Sequence, residues 1–185
     1  AACTQAGEGA PYTTNDAGKM SVCLRAGTYY VREVDESASK PDWVFDSTVH
    51  EVTVMAGETA SVKLENLQMG KIKLVKLMPD GGSLSGWVFD IYRKSDNAHI
   101  GTYTTDEKGT ILSEWLIPGE YLVYEQPDEN GRYWCDSQNP RQVVLRAGKT
   151  ASVYFTNRLK PGKIAIQKVD VLNLFWESGI TDIQQ

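Results

Sequence analysis

The stretch Gly70-Lys71-Ile72-Lys73-Leu74-Val75-Lys76 decides the fold, because it recurs as Gly162-Lys163-Ile164-Ala165-Ile166-Gln167-Lys168. In both copies an apolar residue stands at every second position, which is the period of a β-strand with one buried face. The next position on that apolar face is a lysine, Lys76 in one copy and Lys168 in the other. A lysine at a strand end can extend its ammonium to water. Because the lysine recurs on the apolar face in both copies, we instead expect its side chain to contact polar side chains on other strands.

The rest of the chain repeats in the same way, with a period of roughly ninety residues. Turn, strand and aromatic positions all recur in the same order. The matching pairs are 13–18 with 104–109, 26–33 with 118–125, Trp43 with Trp134, and 56–62 with 147–153. The chain therefore contains two copies of one unit.

The frame of the repeat divides the chain into three segments. Residues 70–161 form a whole unit. Residues 1–69 form a second unit that lacks its opening strands, and residues 162–185 resemble those missing strands. Three explanations stay open: a window on a longer tandem array, completion of 1–69 by the tail of the same chain, or completion by a neighbouring chain through strand addition.

Composition limits the classes of function. The chain has 185 residues, 41% of them hydrophobic, which suffices for one or two cores. Its mixed charge with a net of −5 gives no support for binding nucleic acid or an anionic membrane. No apolar run is long enough to span a membrane, and no secretion signal leads the chain. The odd set Cys3, Cys23 and Cys135 lacks C-x-x-C spacing, so we expect no metal or cofactor and at most one disulfide.

Each unit is predicted to be all-β. Short segments rich in Val, Ile, Tyr, Phe and Trp alternate with turn residues, and no window keeps a helical period. The predicted strands of the whole unit lie near 71–77, 87–93, 98–104, 110–116, 120–126, 141–146 and 150–157. Seven such strands favour tandem two-sheet sandwiches. The stretch 126–140 is predicted to be a surface loop.

Polar residues stand on the apolar face of two further strands. Glu125 is in phase with Val123, and Asn157 is in phase with Phe155. The second copy has Glu33 and Asn66 at the matching positions. Each unit therefore directs one lysine, one glutamate and one asparagine inward from three strands.

The successive patterns G-x-I-x-x-x-K, T-T-D-x-x-G, G-x-Y-x-x-x-E and a last strand ending in Asn resemble the collagen-adhesin B-type (Cna-B, SpaA-like) domain of Gram-positive surface stalks and pilins. The resemblance implies tandem seven-stranded prealbumin/Ig-like β-sandwiches and spontaneous Lys–Asn isopeptide bonds. Carried over by position, it implies a Lys76–Asn157 bond assisted by Glu125. In the split unit it implies a Lys168–Asn66 bond assisted by Glu33.

The residue types suit that chemistry. Burial lowers the pKa of a lysine and raises that of a carboxylic acid, which gives a nucleophilic amine and a proton donor. The competing interpretation is a buried Lys–Glu ion pair with the asparagine bonded to the backbone. Such a pair contributes little net stability, so its presence in both units favours the bond.

These features predict a structural stalk or pilus-shaft protein of the bacterial cell surface and not an enzyme. Its expected partners are adjacent repeats or copies of itself. A further expectation is that copies polymerise head-to-tail by strand donation. The alternative is an adhesin module that binds carbohydrate or host matrix protein through Trp134. The two histidines, His50 and His99, stand alone, and no catalytic triad or glycosidase pair is evident.

Overall fold

A computed structural model describes residues 11–168, and all regular secondary structure in this range is β. The strands are β1 (Gly27–Val31), β2 (Trp43–Val44), β3 (His50–Val54), β4 (Leu67–Gln68), β5 (Lys71–Leu77), β6 (Val88–Arg93), β7 (Ala98–Thr104), β8 (Thr110–Leu112), β9 (Gly119–Glu125), β10 (Tyr133–Trp134), β11 (Arg141–Leu145), β12 (Thr150–Thr156) and β13 (Arg158–Leu159). No helix capable of crossing a membrane occurs between residues 11 and 168.

Two sheets form the unit that begins at Gly70. One has the order β11-β9-β6-β7 with antiparallel neighbours. The other has the order β12-β5-β8, in which β12 runs parallel to β5 and β8 runs antiparallel to it. The short strands β10 and β13 pair beside them. The all-β prediction and the positions of the seven predicted strands are thus confirmed for this unit.

Strand β8 is shorter than the predicted 110–116. Its pairing with β5 stops after Leu112, where the hydroxyl of Ser113 accepts the Ile72 N–H at 2.9 Å. The ladder resumes as a single bridge between Gly70 and Leu116. The Ser113 N–H still donates to the Ile72 carbonyl at 3.0 Å. A side chain therefore replaces only one of the two backbone bonds at this position, and the polar groups of Ile72 stay satisfied.

The core of this unit lies between the two sheets. Alternate residues of the facing strands are buried, as a period of two requires. The buried apolar residues are Ile72, Leu74, Phe89, Ile91, Ile111, Leu116, Tyr121, Val123, Val143, Leu145, Val153 and Phe155. The rings of Phe89 on β6 and Phe155 on β12 lie 4.9 Å apart between centroids and join the two layers.

Residues 11–69 contain part of the same architecture. β1 pairs with β3, and β2 pairs with β4, which are the counterparts of the β9–β11 and β10–β13 pairs. The Tyr29 hydroxyl donates to the Arg25 carbonyl at 2.9 Å, as Tyr121 does to Ile117 at 2.6 Å. The repeat is therefore visible in local geometry as well as in sequence.

Two segments predicted to be strands are irregular. Residues 59–65 correspond to β12, and residues 162–168 correspond to β5, but neither carries a strand. A strand requires a neighbour for its backbone N–H and C=O groups, and these segments have none within the described range. The division of the chain at 69 and 161 remains a prediction. Cys3 and residues 169–185 lie outside the described residues.

Candidate functional site

Three polar side chains meet inside the unit that begins at Gly70. Lys76 is near the end of β5, Glu125 is the last residue of β9, and Asn157 follows β12 directly. Their exposed fractions are 1%, 3% and 1%. Lys76 lies on the same strand face as the buried Ile72 and Leu74. The structure therefore brings this predicted triad together, in the predicted phase.

One carboxylate oxygen links the three groups. The Lys76 ammonium donates to Oε1 of Glu125, and the Asn157 side-chain N–H donates to the same atom at 2.8 Å. The other Asn157 amide atom, Oδ1, is buried without a hydrogen-bond partner. Buried acceptors are rarely left unsatisfied, so this oxygen needs a chemical explanation.

Burial dominates the electrostatics of Lys76. Desolvation lowers the pKa of its amine, and the neighbouring Glu125 only partly counters that effect. The Lys76 nitrogen also lies 4.3 Å from the centroid of the Trp87 ring. The ring face favours a cation weakly, but the net direction is toward the neutral amine, which is the nucleophilic form.

The loop between β9 and β11 fixes Glu125. The Asp136 N–H donates to Oε2 of Glu125 at 3.2 Å. The Asn139 side chain bonds both backbone groups of Glu125, accepting its N–H and donating to its carbonyl, at 2.9 Å each. The stretch 126–140 is therefore not only the surface loop that was predicted, because part of it packs against the buried triad.

Asp136 connects the loop to the last strand. Its carboxylate accepts the Thr156 N–H at 2.8 Å and two bonds from Arg141 at 3.0 and 3.1 Å. Burial opposes ionisation, but these donors together hold the pKa of Asp136 below its ordinary value. The sequence prediction did not include Asp136, since a lone aspartate within a long loop gives no periodic signal.

The two other residues noted in this loop differ in environment. Trp134 is 59% exposed, and the Lys160 ammonium lies 4.6 Å from the centroid of its ring. Cys135 is a free thiol, half-buried, and burial raises its pKa. Cys23 is disulfide-bonded. In residues 11–168 no group of three or more His, Cys, Asp or Glu side chains is arranged to hold a metal ion.

The second predicted triad is only partly assembled. The Asn66 side-chain N–H donates to Oε1 of Glu33 at 2.6 Å, while Oε2 of Glu33 is buried and has no partner. Asn66 is exposed rather than directed into a core, because no opening strands cover this unit in the described chain. Lys168 is exposed too, and no hydrogen bond joins it to either residue within the range 11–168. Its role remains a prediction.

Comparison with known families identifies the unit that carries the assembled triad. The family model described as the SpaA prealbumin-like fold domain matches residues 70–159. This segment is a SpaA-like domain. The match begins at Gly70, the residue before β5, and ends at Leu159 of β13. All three triad residues of the SpaA-like domain lie inside the matched range, and the predicted family resemblance is confirmed for it.

Solved structures of similar fold include the minor pilin GBS52 of Streptococcus agalactiae. It is 19% identical, the match covers 76% of this chain and 84% of that one, and the TM-score is 0.45. The shaft pilin SpaA of Lactobacillus rhamnosus GG is 19% identical, with 51% and 52% covered and a TM-score of 0.42. The TIE protein of Bacillus anthracis is 26% identical, with 74% and 26% covered and a TM-score of 0.46.

The chain thus spans about half the matched shaft pilin and a quarter of the matched Bacillus anthracis protein. A search of curated proteins returned no match to the chain.

Proposed function

We propose that the chain is a structural segment of a Gram-positive pilus or surface stalk, located outside the cell, in which the SpaA-like domain is locked by an isopeptide bond between Lys76 and Asn157. The observation that carries the proposal is the buried triad, with Lys76 and Asn157 both bonded to one oxygen of Glu125. The pilins among the structures of similar fold are consistent with this role. The domain acts on itself once and is not an enzyme.

The reaction needs a neutral amine and a protonated carboxyl group. Transfer of a proton from Lys76 to Glu125 supplies both, and the desolvation that lowers the pKa of Lys76 favours it. Protonated Glu125 then becomes a donor. Half a turn of the Asn157 amide places its unpartnered Oδ1 on that donor, which withdraws electrons from the amide carbon.

The Lys76 nitrogen attacks Cγ of Asn157, the new C–N bond forms, and the bond from Cγ to Nδ2 breaks. Glu125 accepts one proton from the attacking amine and delivers one to the departing nitrogen, and ammonia leaves. Fixed proximity of the groups can contribute about 7–11 kcal/mol to lowering the barrier of such a step. Burial at 1–3% exposure also keeps competing water away.

The placement of the bond suits a load-bearing role. β5 and β12 are neighbouring parallel strands, and Lys76 faces Phe155 in their register. A covalent link between the first and last strands carries tension directly from one end of the domain to the other. The six strands between β5 and β12 then stay outside the line of force.

The test is mass spectrometry of the intact, denatured and reduced chain. We expect a mass lower than the sequence mass by one ammonia per bond, and a cross-linked peptide containing Lys76 and Asn157 after digestion. A folded protein in which Lys76 and Asn157 are both unmodified would contradict the proposal.

In the split unit we propose a second bond, between Lys168 and Asn66 with help from Glu33, made by donation of an opening strand. The 2.6 Å contact between Asn66 and Glu33 supports it. A second candidate function is an adhesin module for a glycan or host matrix protein. The 59% exposure of Trp134 favours that alternative, because an exposed indole can stack on a ligand.

A further inference from the structure

One loop N–H reaches the triad of the SpaA-like domain, in which one buried oxygen lacks a donor. The Asp136 N–H donates to Oε2 of Glu125 at 3.2 Å, which is the long end of the range for such bonds. Oδ1 of Asn157 is buried, and it accepts no hydrogen bond from residues 11–168. Buried acceptors are rarely left unsatisfied, which makes the loop N–H the first candidate for its donor.

Asp46 occupies the matching position in the split unit. Asp46 and Asp136 each begin an Asp-Ser pair, two or three residues after the repeated tryptophan. Each carboxylate accepts the N–H of the residue two positions later. Thr48 and Gln138 are the donors, both at 2.9 Å. The loops of the two units therefore contain the same turn.

A basic residue on the next strand contacts each of these carboxylates. His50 begins β3 and lies 3.1 Å from the Asp46 carboxylate. Arg141 begins β11 and lies 3.0 Å from the Asp136 carboxylate. β3 and β11 are counterparts in the repeat. Because the turn and its anchor recur together, the N–H groups of the two aspartates are equivalent donors.

The equivalent donor has a different acceptor in the split unit. The Asp46 N–H donates to Oδ1 of Asn66 at 3.1 Å, and the Asn66 side-chain N–H donates to Oε1 of Glu33 at 2.6 Å. Within the described part of the chain, Oε2 of Glu33 is then the buried oxygen without a partner. One loop donor thus serves two acceptors, and each unit satisfies the acceptor that the other leaves unsatisfied.

We propose that the Asp136 N–H moves from Oε2 of Glu125 to Oδ1 of Asn157 during bond formation and stabilises the negative charge that develops on that oxygen. The split unit contains the second arrangement, in which the loop N–H is on the asparagine oxygen while the asparagine nitrogen stays on the glutamate. This inference rests on the proposed Lys76–Asn157 bond and assigns a further group to its chemistry.

The reaction needs a donor besides Glu125. When the Lys76 nitrogen attacks Cγ of Asn157, the carbonyl electron pair moves onto Oδ1. Glu125 must give its proton to Nδ2 before the bond from Cγ to Nδ2 breaks and ammonia leaves, so that proton no longer serves Oδ1. The Asp136 N–H supplies the missing hydrogen bond without giving up its own proton. As the bond breaks, the carbonyl group re-forms.

The side chain of Asp136 holds its own N–H near Asn157. The carboxylate accepts the N–H of Thr156, the residue before Asn157, at 2.8 Å, and it pairs with Arg141. The turn is therefore anchored to the end of β12, and the donor changes acceptor by a small shift. A donor that is fixed before the reaction stabilises a developing oxyanion with little reorganisation.

Replacing the amide by an ester at position 136 tests the proposal. A full chain with the α-hydroxy analogue of aspartate keeps the side chain and lacks the N–H. Chemical ligation in denaturant, with Cys135 as one junction, gives unlinked chains, and intact mass follows linkage after transfer to native buffer. We expect the bond to form about 100-fold more slowly than in the parent chain assembled in the same way.

The same replacement at position 138 is the matched control. The Gln138 N–H donates to Oδ1 of Asp136, so its loss loosens the same turn and removes no donor from the triad. This chain should link at nearly the parent rate. Equal slowing at the two positions, or a parent rate at position 136, would overturn this inference alone. A folded parent chain without the bond would overturn the proposed function as well.

The linked product provides a readout that a merely structural role of the N–H would not change. The reaction leaves Glu125 protonated, which makes Oε2 a weaker acceptor, so the Asp136 N–H should stay on the carbonyl oxygen of the new amide. Nuclear magnetic resonance should then detect scalar coupling across the hydrogen bond, from the Asp136 nitrogen to Cγ of Asn157. Coupling to Cδ of Glu125 in its place would contradict the transfer.

Discussion

The side-chain nitrogen of Asn157 lies 2.8 Å from Oε1 of Glu125, at the same oxygen that contacts the Lys76 ammonium. The two residues are 32 positions apart in the chain, and each is almost fully buried. Their contact places an amide, a carboxyl group and an amine around one atom in a site closed to water.

Replacing Glu125 by Gln should leave Lys76 and Asn157 unlinked. The amide keeps the volume of the carboxyl group but cannot take the proton from the amine. Intact mass should rise by the mass of one ammonia relative to the linked protein, after correction for the substitution. Glu120→Gln is the matched control, since Glu120 is exposed on the same strand, and it should link normally. Full linkage in Glu125→Gln would show that the carboxyl group is not needed.

Replacing Lys76 by Met should destabilise the SpaA-like domain by about 4–5 kcal/mol. The bond closes a loop of roughly eighty residues and restricts the unfolded chain as a disulfide would. Methionine retains most of the length of the side chain and lacks the amine. Chemical denaturation with and without reductant is the measurement, and reductant should leave this difference unchanged. Lys73→Met, on the exposed side of β5, should behave as the parent does. Equal stability of the Lys76 and Lys73 variants would count against the cross-link.

The stability of an unlinked domain should increase with pH in the alkaline range. Folding lowers the pKa of Lys76, so between that lowered value and the ordinary 10.5 the unfolded chain binds more protons. The free energy of unfolding of Asn157→Ala should therefore rise with pH across this window. The double variant Lys76→Met, Asn157→Ala lacks the amine and is the reference. An identical pH profile for the two variants would mean that Lys76 titrates normally in the fold.

Replacing Asp136 by Ala should slow formation of the bond and weaken the unlinked fold. The carboxylate accepts the Thr156 N–H next to Asn157 and pairs with Arg141. Losing the acceptor for buried donors costs about 1–3 kcal/mol. The fraction linked is followed by mass during refolding, and Asp136→Asn, which keeps an acceptor oxygen, should restore part of the rate. A normal rate in Asp136→Ala would restrict the residue to a packing role.

Replacing Trp134 by Ala distinguishes the proposed function as a pilus shaft from the alternative function as an adhesin. The indole is exposed, and the Lys160 ammonium lies over its ring. We therefore expect the variant to lose about 0.5–1 kcal/mol of stability and to form the Lys76–Asn157 bond as the parent does. A glycan and matrix-protein screen should show no specific ligand for the parent. Trp115→Ala, at 40% exposure, is the matched control. Specific binding that disappears only in Trp134→Ala would favour the adhesin.

Several features followed from residue pattern alone. Alternation in 71–77 predicted β5 to the residue, and the phase of Lys76, Glu125 and Asn157 predicted that all three side chains are buried. Alternation is informative here because a strand with one buried face leaves each side chain only two directions. The repeat then transferred the same reading to Glu33 and Asn66, whose contact the structure contains.

By itself, then, the sequence determined the all-β class, the strand phases and the identity of the buried triad. Only the tertiary structure decided which strands have neighbours, and therefore that 150–156 is a strand while the equivalent 59–65 is not. It also decided that Asp136 and Asn139 hold Glu125 in place. Local pattern sets which face of a strand is apolar, but backbone hydrogen bonds between distant segments exist only once the chain has brought those segments together.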